Sequence, residues 1–296
     1  MAAVVLPAVA LILACLPLDS AAHGEWTAES GEALGWTLAL VLLLAASAML
    51  YALGVRRLWR RAGARRGVRG AHALRFVLGW LVLACALLSP IDALADRSFA
   101  LHMLQHELLM LVAAPLLVLA RPVEAWTWAL SARVRRRAAD LAHRARRGWR
   151  AITSQPGAWS LHAGAVWIWH VPVLFMAAVA HPSLHVFQHA CFLVSALLFW
   201  WSVFRSRAGL QSAGAMASLL TTMLHTSALG ALLALAARPA YLAPGQSTIL
   251  GLTALEDQQL GGLVMWVPGS LAYLVAALVI ASGWLAPARA ARHDVA

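Results

Sequence analysis

The sequence predicts an all-α integral membrane bundle of about seven transmembrane helices, with its N-terminus outside and its C-terminus cytoplasmic. Three observations predict it. Of the 296 residues, 62% are apolar, against about 45–50% in soluble domains. Charged residues make up 12%, about half the usual share, so the chain cannot cover itself with polar surface in water. The 23 basic residues are all arginine and are gathered into blocks between apolar runs, the pattern that sets orientation in a bilayer. That sorting also decides how to read the net charge of +11: it argues against nucleic acid as a partner and fits contact with anionic membrane lipids.

Residues 1–22 read as a signal peptide: an apolar run over 4–16, Pro17, then Ser20-Ala21-Ala22 ahead of His23. No basic residue precedes the run, and an uncleaved first helix is the alternative. Residues 23–296 then form one polytopic membrane domain. Of the three cysteines, Cys15 falls in the leader and Cys85 and Cys191 in different spans. Without a CxxC, neither a thiol metal clip nor a disulfide framework is expected.

A hydrocarbon core needs about 20 apolar residues per helix. The spans fall at 33–54, 73–89, 98–120, 158–179, 183–204, 213–236 and 259–283. Arg56, Arg57, Arg60, Arg61, Arg65, Arg66 and Arg69 follow the first span, and nine more arginines lie between Arg121 and Arg150. Arg205 and Arg207 follow the fifth span, Arg289 and Arg292 the seventh. Placing all of these inside leaves only Arg97 and Arg238 outside, together with the acids Asp92, Asp96, Glu256 and Asp257. Every connection agrees with that orientation, which predicts a multi-pass protein of the bacterial inner (plasma) membrane. Residues 132–150 read as a solvated connector that enforces topology, with a basic surface helix as the alternative. Trp200 and Trp201 suit the interfacial belt, and His72 and His162 read as residues of the inner boundary.

Ionisable residues inside a span are costly and mark function. His102 and His106 lie four apart in the third span, and His185 and His189 four apart in the fifth. Residues at i and i+4 share a helix face, so each pair aims two imidazoles into one space. Both spans start outside. At 1.5 Å per residue the first pair lies about 6 and 12 Å deep and the second about 5 and 10 Å, level with each other. His170 and His225 come out deeper, at about 15–18 Å, as a floor to the same cavity; His181 lies just before Pro182. Imidazole suits copper, zinc, iron or nickel. Two level pairs favour a compact metal ion, with interhelical hydrogen bonding and haem ligation as the alternatives. Glu107, beside His106, is a counter-charge, proton carrier or hydrogen-bonding acid about 100° round the helix from it. The metal candidates are therefore His102, His106, His185 and His189, with His170, His181, His225 and Glu107 as lesser ones. Neutral imidazole is the ligating form, so binding should weaken as pH falls through about 6–7.

Four segments carry a family resemblance: HMLQHELLMLVAAPLL (102–117), WHVPVLFMAAVAHPSLHVFQH (169–189), LLFWW (197–201) and LEDQQLGGLVMWVPG (255–269). In this order they resemble the CtaG-type cytochrome c oxidase assembly factors, polytopic bacterial membrane proteins, over about residues 75–283. The resemblance implies a role in maturing a haem–copper oxidase by providing copper to its CuA-bearing subunit. The single-span copper chaperone that shares the label has a large outer domain and cysteine ligands, which this chain lacks. A haem-binding membrane protein and a copper permease are the competing functions. No Ser-His-Asp pattern, phosphate-binding glycine loop or HExxH motif points to an enzyme.

Overall fold

The computed structural model describes residues 28–63, 67–95, 97–205, 210–241 and 250–293. The expected leader, with Cys15 and the site before His23, lies outside the described residues, as do Arg65, Arg66, Asp96 and Arg207. Every regular element described is helical: α1 (Ala28–Ala62), α2 (Gly70–Leu88), α3 (Pro90–Ala95), α4 (Phe99–Glu107), a π-helical stretch (Leu108–Ala113), α5 (Ala114–Leu119), α6 (Pro122–Ala129), α7 (Ala132–Arg144), α8 (Arg146–Ile152), α9 (Gln155–Trp169), α10 (Pro172–Ala180), α11 (Pro182–Phe204), α12 (Leu210–Ala234) and α13 (Ala254–His293). Among the described residues six stretches are long and apolar enough to cross a membrane, and seven if α9 and α10, bent by 77° at their break, are counted as one span. "Outer" below means the side away from the arginine blocks.

The fourth span, expected as one helix, is thus two. Proline explains the break and several others. Pro90, Pro122, Pro172 and Pro182 are each the first residue of a helix, where a missing N–H leaves no gap in the ladder. Inside a helix the same residue removes a hydrogen bond and clashes with the preceding turn. The π-helical stretch has a related cause. Ala114 N–H donates to Leu109 O, five residues back. The next bond in that register would run from residue 115 to Met110 O, but Pro115 has no N–H. The indole N–H of Trp200 on α11 donates to Met110 O instead, at 2.9 Å. Trp200 is only 3% exposed: it belongs to the core and not to the interfacial belt.

The third span forms a wall between two apolar cores. Leu109, Ala113 and Leu117 face α1, α2 and α6, while Met110 and Ala114 face the other half, built largely from α9 to α13. Leu193 and Leu197 of α11 touch both cores. On the first side, Tyr51 stacks on Phe76 with ring centroids 3.7 Å apart and donates its hydroxyl to Ala120 O at 3.1 Å. Trp126 and Arg57 donate to Ser47 O and Ala129 O, tying α6 to α1. The approach is close enough that a Cβ on Gly54 would run into the carbonyl of Ala125. Residues 132–150, expected as a solvated connector, fold into α7 and most of α8, with no buried residue in either helix.

Candidate metal centre

The third span starts at the outer side, and its first residues are fixed by side chains. Ser98 caps α4, accepting from Leu101 N at 3.3 Å. Its hydroxyl donates to Asp257 Oδ1 at 2.7 Å. The same carboxylate accepts from Phe99 N at 2.6 Å and from Ala100 N at 3.3 Å. A carboxylate at a helix N-terminus both fills orphan N–H groups and opposes the positive end of the dipole. Asp257 is completely buried. It sits at the start of α13, where Thr253 and Glu256 form a reciprocal cap. α4 is thereby locked to α13, and its register sets where His102 and His106 point.

The four principal histidines converge. Ring centroids lie 4.5 Å apart for His102–His106 and 4.3 Å for His185–His189. Across the two helices, His102 lies 5.1 Å from His185 and 5.9 Å from His189, and His106 lies 5.2 Å from His189. One ring nitrogen from each of His102, His106 and His189 falls within 4.8 Å of the other two. A second trio, Asp92, His185 and His189, meets the same limit. Three nitrogens about 2.0–2.1 Å from one tetrahedral ion stand about 3.4 Å apart, so small rotations about the side-chain torsions close either trio. Both nitrogens of His102 and of His106, and Nε2 of His185 and His189, are buried with no hydrogen-bond partner. Buried polar groups are ordinarily paired. Each of these four rings, when neutral, has one lone-pair nitrogen to offer a ligand.

The lesser candidates divide. His170 stands at the α9–α10 break. Its Nδ1 lies 2.6 Å from Val166 O, which only accepts, so Nδ1 carries the proton and Nε2 the lone pair. Nε2 lies 3.4 Å from Met103 Sδ, and the ring is 6.3 Å from His106. His170 therefore borders the cluster. His181 is the exposed N-cap of α11 and stays outside it. His225, expected on the floor of the same cavity, faces elsewhere. It takes the Trp167 indole N–H at 3.3 Å and lines an open cleft of about 510 Å³ with Trp159, Thr221 and Leu224. Depth alone did not reveal this, because level residues on different helices share a cavity only if the helices are neighbours. Glu107 also points away, as its 100° offset from His106 requires: a Cβ on Gly269 of α13 would stand 3.4 Å from Oε2.

Other residues gain roles that the sequence reading did not give them. Asp92, counted only as an outer acid, reaches the cluster. Gln105 Nε2 holds it at 2.6 Å and also donates to Ala86 O at 2.7 Å. Phe175 of α10 covers His102, with ring centroids 4.8 Å apart. Tyr241 donates to His170 O at 2.6 Å, and burial pushes its hydroxyl up to about 12. His162, expected at the boundary, is 1% exposed, with Ser195 Oγ and Tyr273 OH at 3.2 and 3.3 Å. Ser195 donates its own proton to Phe192 O, so His162 Nδ1–H donates to Ser195 and Nε2 accepts from Tyr273. Both nitrogens are satisfied, which removes His162 from the ligand set.

A family model described as cytochrome c oxidase caa3 assembly factor (Caa3_CtaG) matches residues 49–286. The chain belongs to this family. The matched span takes in both histidine pairs, Asp92, Asp257 and the broken fourth span, so the whole centre lies within the Caa3_CtaG region. No match was found among curated proteins or among solved structures. As a Caa3_CtaG member the protein is a cytochrome c oxidase assembly factor with multiple apolar helices of membrane-spanning length.

Proposed function

We propose that this assembly factor handles copper for the oxidase. It binds the ion through His102, His106, His185 and His189 near the outer membrane face and passes it to the CuA-bearing subunit, in the bacterial plasma membrane. The observation that carries this reading is the set of six buried imidazole nitrogens without a partner on two helices. Imidazole suits copper in either oxidation state, and a nearby thioether, Met103, favours Cu(I). Copper is cargo here, held by groups that release it again, and no bond-making chemistry on an organic substrate is assigned.

Two alternatives fit the geometry less well. A haem needs the plane of a macrocycle between or beside its ligands. These rings stand 4.3–5.9 Å apart, and the one cavity described beside His102's neighbour Phe175 holds about 30 Å³, room for a single water. A permease needs a polar route inward. Below the histidines, Phe192, Ala196, Phe199, Met110 and Leu219 are 0–4% exposed, and His106 packs on Phe192 with centroids 4.4 Å apart. The centre is closed on its inner side.

The test is metal content of the purified protein after loading with Cu(I) or Cu(II). The expected result is copper bound by the wild type and lost from His102→Ala/His106→Ala and from His185→Ala/His189→Ala. A wild type that holds no copper under either condition overturns the reading. Full retention in both double variants overturns the assignment of residues.

A further inference from the structure

The centre offers more ligands than one ion uses, and they are not equivalent. The trio His102, His106 and His189 is buried throughout, whereas in the trio Asp92, His185 and His189 both Asp92 and His185 are half-buried and only His189 is enclosed. His189 belongs to both. Its Nε2 is buried with no hydrogen-bond partner, so this ring is a ligand that both trios can use.

The chemistry of the two trios also differs. One carboxylate and two imidazoles make a mixed oxygen–nitrogen site of the kind that takes hydrated divalent ions. Three imidazoles with Met103 close behind His170 make a softer, uncharged site. Asp92 is held in place from α4, the helix that bears the inner pair. Gln105 Nε2 bonds both the carboxylate and Ala86 O, the backbone oxygen that would have accepted from residue 90 had that residue not been proline. Such outer partners fix the orientation of a ligand. The short helix α3 therefore presents its carboxylate to the outer rim of the same cluster that α4 and α11 build.

Resting on the copper reading above, we infer that the cluster contains two overlapping metal positions sharing His189. Asp92, His185 and His189 form an outer loading position. His102, His106 and His189 form an inner retaining position. The ion moves between them by exchanging Asp92 and His185 for His102 and His106 while His189 stays bound, without leaving the protein. Asp92 and His185 govern how fast metal enters, and His102 and His106 govern how slowly it leaves.

The experiment uses the full-length purified protein in detergent, stripped of metal, with Cu(II) as the probe. Loading is followed in a stopped-flow by quenching of tryptophan fluorescence, and release by transfer to a chelator in excess. Asp92→Asn and His185→Ala are expected to load about tenfold more slowly than wild type while reaching the same final copper content. His102→Ala and His106→Ala are expected to load at the wild-type rate and release about tenfold faster. Asp92→Glu, which restores the carboxylate, recovers loading. Equal thermal midpoints across the series exclude a folding defect; a variant with a lowered midpoint is replaced by its milder partner, His→Gln for His→Ala. Wild-type loading rates in both Asp92→Asn and His185→Ala overturn the two-position inference while leaving the copper reading intact. So does the same combined loss of loading and retention in all four variants. Failure of the wild type to take up copper removes the copper reading itself.

Discussion

Replacing Asp257 tests whether the outer end of α4 is held by one buried carboxylate. In Asp257→Ala the Phe99 and Ala100 N–H groups lose their acceptor, and both residues are at most 4% exposed. A buried unsatisfied donor costs about 1–3 kcal/mol, giving about 2–6 kcal/mol for the pair. Loss of the carboxylate from the helix N-terminus adds up to about 2 kcal/mol. At about 2 °C per kcal/mol for a chain of this size, the apparent midpoint should fall by about 4–16 °C. Asp257→Asn keeps the volume and one acceptor, so about half that loss is expected. Ser98→Ala alone removes a cap, at about 1 kcal/mol. The double variant Ser98→Ala/Asp257→Ala should lose less than the sum, because the two side chains share one hydrogen bond and coupled neighbours are non-additive by about 0.5–3 kcal/mol. Thermal unfolding in detergent, read by intrinsic tryptophan fluorescence, measures all of these. A midpoint for Asp257→Ala within about 1 °C of wild type (less than the effect of 1 kcal/mol) would refute the anchoring role, and strict additivity would refute the shared bond.

Three further outcomes follow from packing and hydrogen bonding. Gly54→Ala should cost about 1–3 kcal/mol, because its Cβ meets the Ala125 carbonyl; copper content should be unchanged, since α1 and α6 lie across the third span from the cluster. Trp200→Phe keeps an aromatic ring but strands Met110 O, at about 1–3 kcal/mol, and hydrogen exchange should rise across residues 108–115. Tyr241→Phe frees His170 O and should speed exchange over residues 168–175. It should also blunt alkaline destabilisation. A phenol held protonated to about 12 in the fold but ionising near 10 when unfolded contributes stability below 10 that is lost as pH rises through that window, and phenylalanine has no such dependence.

Most of the bundle was legible because hydropathy and the arginine blocks are one-dimensional signals. Span positions need only the local run of apolar residues. The level of the two histidine pairs needs only the rise per residue and a common starting side. Which helices are neighbours is not a local property, and there the sequence reading went astray. His225 has the right depth and faces another cleft. His162 has a boundary position and a buried, fully paired ring. Trp200 looks like a belt residue until Pro115, 85 positions earlier, leaves a carbonyl for its indole. Asp92 and Asp257 were readable as outer acids, but their partners lie on other elements. The one local hint was the company they keep: a carboxylate just after Pro90, and another directly after a Thr-x-x-Glu cap. The 77° bend was hinted at by His170-Val171-Pro172 yet hidden by the continuous apolar run around it.

The irregularities of this bundle lie where its function is proposed, and the bilayer gives a reason. Within hydrocarbon an unpaired backbone group costs several kcal/mol, so each break in a helix demands a side chain that can answer it. Pro90 leaves Ala86 O without a donor, and Gln105 supplies one. Pro115 leaves Met110 O, and Trp200 supplies one. The turn before Pro172 leaves His170 O, which Tyr241 takes, and the buried N–H groups at the start of α4 are closed by Asp257. A straight bundle would need none of these four polar side chains. It would also place Asp92, His170 and Phe175 differently, because the breaks at Pro90 and Pro172 are what turn α3 and α10 toward the histidines. The prolines aim the elements around the site, and the buried polar groups make those turns tolerable in the membrane. Removing a proline should therefore straighten a helix at little cost in stability while withdrawing a wall from the metal cluster.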